Sequence, residues 1–171
     1  MKKLVVFGFD GTLADTAPGI LYCFNTTAVA MGYEPVEHSA LYGVIGAPLE
    51  YGFKTLFNMS DDEIEYAVKN YSKLYSQKGK EYRRQRQMRI RDSLTKSHLL
   101  LQACEQTGVS VEESILVGDS TIEAKGAEEI GMDFLAVLYG WGFKTKEETE
   151  EYKCVGTVSS PAEISQKVMA L

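Results

Sequence analysis

The chain lacks any apolar run of the roughly 18 residues that a membrane-spanning helix needs. It has little cysteine. Cys23, Cys104 and Cys154 are odd in number and far apart, which fits neither a disulfide framework nor a zinc site. Buried thiols in a reducing cytoplasm are the expected reading. It has no excess of positive charge. Its 18 Lys and Arg against 24 Asp and Glu give −6 at pH 7, which argues against general nucleic-acid binding. A secretory leader is not expected either. Met1-Lys2-Lys3 precedes too short an apolar stretch, Asp10 ends it, and no small-residue cleavage site follows. The two histidines, His38 and His98, stand in no motif and read as structural or solvated. No internal repeat or low-complexity segment is present. These absences leave a cytoplasmic protein with neither a membrane nor a nucleic-acid partner as the expectation. Its 171 residues, 44% apolar and 25% charged, allow one core domain plus a small insertion.

What is present is organised around Leu4 to Leu13. The apolar run Leu4-Val5-Val6-Phe7 reads as a buried parallel strand that ends on Asp10-Gly11. In an open α/β sheet, ligands bind at the carboxyl ends of the strands. Asp10 therefore stands where chemistry is expected. Gly11 can take a positive φ and let a ligand approach the backbone. Thr12 offers a hydroxyl and an amide to an anion.

The rest of the chain alternates helices with strands. A helix starts at Asp15-Thr16-Ala17-Pro18, capped by a side chain, with Ile20, Leu21, Phe24, Ala28 and Met31 on one face. Leu41 to Asn58 carries a turn at Gly46-Ala47-Pro48 and a short helix. Ser60-Asp61-Asp62-Glu63 is a capping box that opens a longer helix ending near Gly79. Lys78 to Arg91 holds seven basic residues and one acid, and reads as a solvated connection. A helix beginning at Lys96 buries Leu99, Leu100, Ala103 and Cys104 and stops at Gly108. Ser114 to Gly118 is a second buried strand, ending on Asp119. Thr121 to Ile130 is a helix stopped by Gly131. Phe134 to Tyr139 is a third strand and Thr145 to Tyr152 a short acidic helix. Val155 to Val158 reads as a last strand. Ser160-Pro161 caps a final helix with Ile164, Val168 and Leu171 inward.

Several of these motifs resemble one family. Gly8-Phe9-Asp10-Gly11-Thr12-Leu13, followed by Asp15-Thr16, is similar to the D-x-D-G-T-L-x-D-[ST] opening of the haloacid-dehalogenase-like (HAD) phosphatases. Val44-Ile45-Gly46-Ala47-Pro48-Leu49 resembles the F-I-G-P-P-L segment of its phosphoglycolate-phosphatase-like members. Tyr71 to Gly79 resembles their Y-R-x-Y-Y-x-x-x-G helix. Gly118-Asp119-Ser120 with Glu123 is similar to G-D-S-x-x-D. The resemblance implies an α/β fold, a truncated HAD-like Rossmannoid parallel sheet with a helical cap insertion. It implies a core at 1–15 and 84–171 and a cap at 16–83. It also implies roles. Asp10 is the acid/base. Lys96, with Gly11 and Thr12, faces the phosphoryl group. Asp10, Asp119 and Glu123 hold a weak Mg²⁺. Glu123 reaches one methylene further than the usual Asp, which alters the ligation.

Two departures divide the functional expectation. The family's nucleophilic Asp is replaced by Gly8, which has no side chain. The family's strand ending in Ser or Thr has no room between Gly79 and Thr95, because a βαβ unit needs about 30 residues. One reading is a degenerate phosphatase with little or no phosphomonoesterase activity that keeps a weak Mg²⁺ and phosphate site. The other is an active Mg²⁺-dependent phosphatase on small phosphate esters. A small phosphorylated molecule is the expected ligand under either. Loss of the neighbouring strand would leave Val5 and Phe7 at or near a sheet edge, covered by Gln87 to Arg91 or by a second copy in a homodimer.

Overall fold

The computed structural model describes residues 1–78 and 95–171. The basic stretch from residue 79 to Arg91, the expected 83/84 boundary, the missing Ser/Thr strand and the candidate cover at Gln87 to Arg91 all lie outside the described residues. The chain falls into two compact units, Met1–Asp15 with Ser93–Leu171, and Thr16–Asp92.

The first unit is α/β. Its strands are β1 (Leu4–Phe7), β2 (Ser114–Gly118), β3 (Asp133–Val137) and β4 (Cys154–Val158). All pair in parallel in the order β1-β2-β3-β4. The register sets Leu4 opposite Ser114 and Phe7 opposite Val117, so β1 and β2 end side by side. Parallel strands need crossovers, and helices supply them on both faces. On one face, α4 (Lys96–Thr107) and α5 (Thr121–Ile130) bury Leu100, Cys104, Ala124 and Ala127 against Leu116, Phe134 and Ala136. On the other, Ile164 and Val168 of α6 (Pro161–Met169) pack against Ile115, Val117, Leu135, Val137 and Val158. Each fully buried Leu, Ile, Val or Phe among them contributes roughly 1.5–3 kcal/mol. That two-sided cover explains why β2 is fully buried and carries Ile115, Leu116 and Val117 in succession. The third strand ends at Val137, two residues before the expected Tyr139.

The second unit is helical: α1 (Ala17–Ala30), α2 (Leu49–Phe57) and α3 (Asp61–Lys78). Phe24 lies 4.7 Å from Phe53 and 4.9 Å from Tyr71, ring centre to ring centre. Gly52 permits this packing, since a Cβ there would meet the Phe24 ring at 2.7 Å. Asn25 clamps the following loop through paired 2.9 Å bonds with the Val36 amide and carbonyl.

Three local expectations change. Thr16 precedes α1 in a helical conformation and makes no capping bond with its side chain; the proline in the first turn defines that start. Thr145 to Tyr152 forms only a single 3₁₀ turn, Glu147–Thr149. The Glu148 carboxylate bonds the Lys144 and Thr145 amides instead, and Thr149 is the one buried residue of the turn. Leu171 is exposed rather than inward, because α6 ends at Met169. Among the described residues no helix is long and apolar enough to cross a membrane.

Candidate functional site

The site lies at the carboxyl ends of β1 and β2, within the first unit. β1 leads into a tight loop. The Phe9 carbonyl accepts from the Leu13 and Ala14 amides, and the Gly11 amide donates to Ala14 at 2.9 Å. Asp10 sits in this loop, half-buried, bridged to Ala14. Gly11 has φ +74°, a conformation that L side chains rarely adopt. A Cβ at Gly11 would also collide with the Asp119 carboxylate. Glycine is therefore required there twice over.

Asp119 follows β2 and is buried at 3% exposure. Its Oδ2 accepts the backbone N–H groups of Trp141 at 2.5 Å and Gly142 at 3.0 Å. Its carbonyl accepts from Phe143 at 2.7 Å. Added Cβ atoms at Gly140 or Gly142 would overlap Asp119, so the two glycines let this loop close on it. The Tyr139 hydroxyl donates to the Thr12 carbonyl at 3.0 Å and ties the two loops together. Burial pushes the Tyr139 phenol up, and the Asp119 charge adds to the shift.

Glu123 is in the first turn of α5, where Ser120 and Glu123 form a reciprocal capping box. Its Oε2 accepts from the Asp119 amide at 3.0 Å, the Ser120 amide at 3.3 Å and Ser120 Oγ at 3.1 Å. Its Oε1 faces Lys96 Nζ at 3.4 Å. Burial pushes the Glu123 carboxyl up, and the Lys96 ammonium opposes that shift. Lys96 reaches this point from the first turn of α4, which Thr95 caps by accepting from the His98 amide. Gly126 lets the two helices approach, since a Cβ there would sit 2.7 Å from Lys96 Cβ.

The Glu123 carboxylate lies over Gly8. A Cβ built on Gly8 would fall inside contact distance of Glu123 Oε1, and it would lie 3.0 Å from Thr12 Oγ1. Gly8 is buried, and its amide continues the ladder to Val117 at 2.8 Å. Thr12 is 6% exposed, and its Oγ1 has no hydrogen-bond partner among the described residues.

The structure thus brings Lys96, Glu123, Gly8 and Thr12 together, and sets Gly11 against Asp119. It does not gather Asp10, Asp119 and Glu123. Among the described residues no group of three His, Cys, Asp or Glu side chains is placed to hold a metal ion. Mg²⁺ needs oxygen ligands in near-octahedral array at about 2.0–2.1 Å. Asp119 Oδ2 instead receives amides, and Glu123 is bonded to a helix start and an ammonium. In this arrangement the residues present do not fit the ion. Sequence reading missed the amides of Trp141 and Gly142. Their signal is two glycines flanking one large residue directly after a strand.

A family model described as haloacid dehalogenase-like hydrolase matches residues 5–96. A curated protein of Dickeya dadantii (strain 3937), named Probable phosphatase IndB, is 34% identical over 77 residues. The match covers 44% of this chain and 34% of that protein, so the chain spans about a third of the relative's length. A solved haloacid dehalogenase-like hydrolase from Streptococcus pneumoniae has a TM-score of 0.83 at 22% identity, covering 98% of both chains. A predicted phosphoglycolate phosphatase from Haemophilus somnus 129PT has a TM-score of 0.69 at 13% identity, again over 98% of each. At these identities the structural likeness bears on the fold alone.

Proposed function

Since the chain belongs to the haloacid dehalogenase-like hydrolase family, we propose that it is a degenerate phosphatase with little or no turnover of phosphomonoesters. One observation carries this reading. The position of the family's nucleophile is Gly8, and the carboxylate of Glu123 fills the space above it. Covalent catalysis splits one hard step into two. Removing a covalent nucleophile costs about six orders of magnitude in kcat in a hydrolase whose residues act as a unit.

The remaining groups support only weak chemistry. Asp10 could serve as a general base on water. The Lys96 ammonium would stabilise developing phosphoryl charge, but Glu123 already stands 3.4 Å from it. The Mg²⁺ expected from the sequence finds no fitting ligand set among the described residues, because Asp119 and Glu123 are engaged elsewhere. The competing reading is an active Mg²⁺-dependent phosphatase on small phosphate esters. Steady-state hydrolysis of p-nitrophenyl phosphate and of phosphoglycolate with Mg²⁺ separates the two. The expected result is no turnover above buffer and no phosphoenzyme. Turnover that scales with purified protein and disappears in Asp10→Asn would establish the competing reading.

A further inference from the structure

Resting on that reading, we infer that Glu123 is the internal occupant of the anion subsite: its carboxylate fills the space over Gly8 and closes the site to phosphate. Four observations converge on this. Gly8 and Gly118 both lack the Cβ that would collide with the Glu123 carboxylate. Only glycine at both positions leaves room for it. The capping box holds Glu123 from behind through Oε2, so Oε1 is the end directed into that space. Lys96 Nζ stands 3.4 Å from Oε1 and supplies the positive charge that a buried carboxylate requires. Thr12 Oγ1, nine-tenths buried and without a partner among the described residues, points to the same space. A lysine, an orphaned hydroxyl and a side-chain-free strand end are the groups of an anion subsite. Here the anion is part of the chain.

The extra methylene of glutamate and the absent side chain of glycine are then one paired change. An aspartate at 123 would reach less far across the gap, and any residue larger than glycine at 8 would meet the glutamate. The site is closed by an intramolecular contact.

A double-substitution cycle read by melting temperature tests the pairing without any activity assay. Gly8→Ala should lower Tm by roughly 5–10 °C through overpacking. Glu123→Asp withdraws the carboxylate. The Gly8→Ala/Glu123→Asp variant should therefore regain at least about half of the Gly8→Ala loss, a coupling that independent sites do not show. Calorimetric titration with inorganic phosphate tests the closure. The intact chain should show no binding at millimolar phosphate. Glu123→Ala should gain at least about tenfold in affinity, and adding Lys96→Met should remove the gain. Should Glu123→Ala not fold, Glu123→Asp, which can still cap α5, takes its place in the titration. Additive melting shifts, or phosphate binding by the intact chain that a folded Glu123 variant fails to tighten, would overturn the inference. Phosphatase turnover by the intact chain would instead end the functional reading and leave the coupling between positions 8 and 123 standing.

Discussion

Asp119 shows how much one side chain can carry. It takes a carboxylate into a position with 3% exposure, and its burial is compensated by the Trp141 and Gly142 amides. A buried donor left without an acceptor costs about 1–3 kcal/mol. Asp119→Ala strands two part-buried amides, so a loss of at most about 2–6 kcal/mol in urea unfolding is expected. Asp119→Asn keeps an oxygen where Oδ2 sits and should cost less than half as much. Equal losses in the two variants would show that the amides do not hold the loop. At this scale the sequence was half legible. Asp119, Glu123 and Lys96 could each be picked out by position after a strand or before a helix. The direction of Glu123 could not. Glu123 turns inward because Gly8 is empty, and that is a fact about two residues distant in sequence and joined only by the pairing of β1 with β2.

Elements were legible where their ends carry chemistry. The starts of α4 and α5 are set by Thr95 and Ser120, and their ends by Gly108 and Gly131, both with positive φ. The acidic segment after β3 failed as a helix because its Glu147, Glu148, Glu150 and Glu151 offer almost no apolar face. The start of α3 gives a test with pH. The Glu63 carboxylate accepts from the Ser60 amide at 2.9 Å, from Ser60 Oγ at 2.7 Å and from the Tyr33 hydroxyl at 2.8 Å. The Ser60 hydroxyl, then the Ser60 amide, then Tyr33 hold Glu63 below its ordinary 4.5. A carboxyl lowered in the fold favours the native state above its unfolded value, and that contribution fades as pH falls through the folded value. NMR titration of Glu63 should therefore give a midpoint below 4.5 that rises in Ser60→Ala. An unchanged midpoint in that variant would mean that the hydroxyl does not hold the carboxylate. The same change should flatten the acid limb of helical-unit stability.

At the scale of the molecule, the described part of the sheet ends at β1. Among the described residues β1 pairs only with β2. The Leu4 and Gly8 amides both donate toward β2, to Glu113 and Val117. With the period of two along a strand, the Val5 and Phe7 amides point to the outer edge. Phe7 is 40% exposed and its three strand neighbours are only partly buried, whereas β2 is buried throughout. An edge without a strand partner among the described residues templates pairing with another strand. The proposed cover is a second copy of the chain, joined at β1. Four residues bury far less than the roughly 1,000 Å² of a stable interface, so the dimer should be weak, with dissociation at about micromolar concentration or above. Light scattering over a concentration series should show a reversible monomer–dimer shift. Hydrogen exchange at Val5 and Phe7 should slow as concentration rises. Phe7→Pro removes one outward N–H while leaving the ladder to β2, and an outward edge position is one where a strand tolerates proline. That variant should stay folded and monomeric at every concentration. A native chain that is monomeric throughout, with equal protection at Val5 and Phe7, would show that no second copy covers this edge.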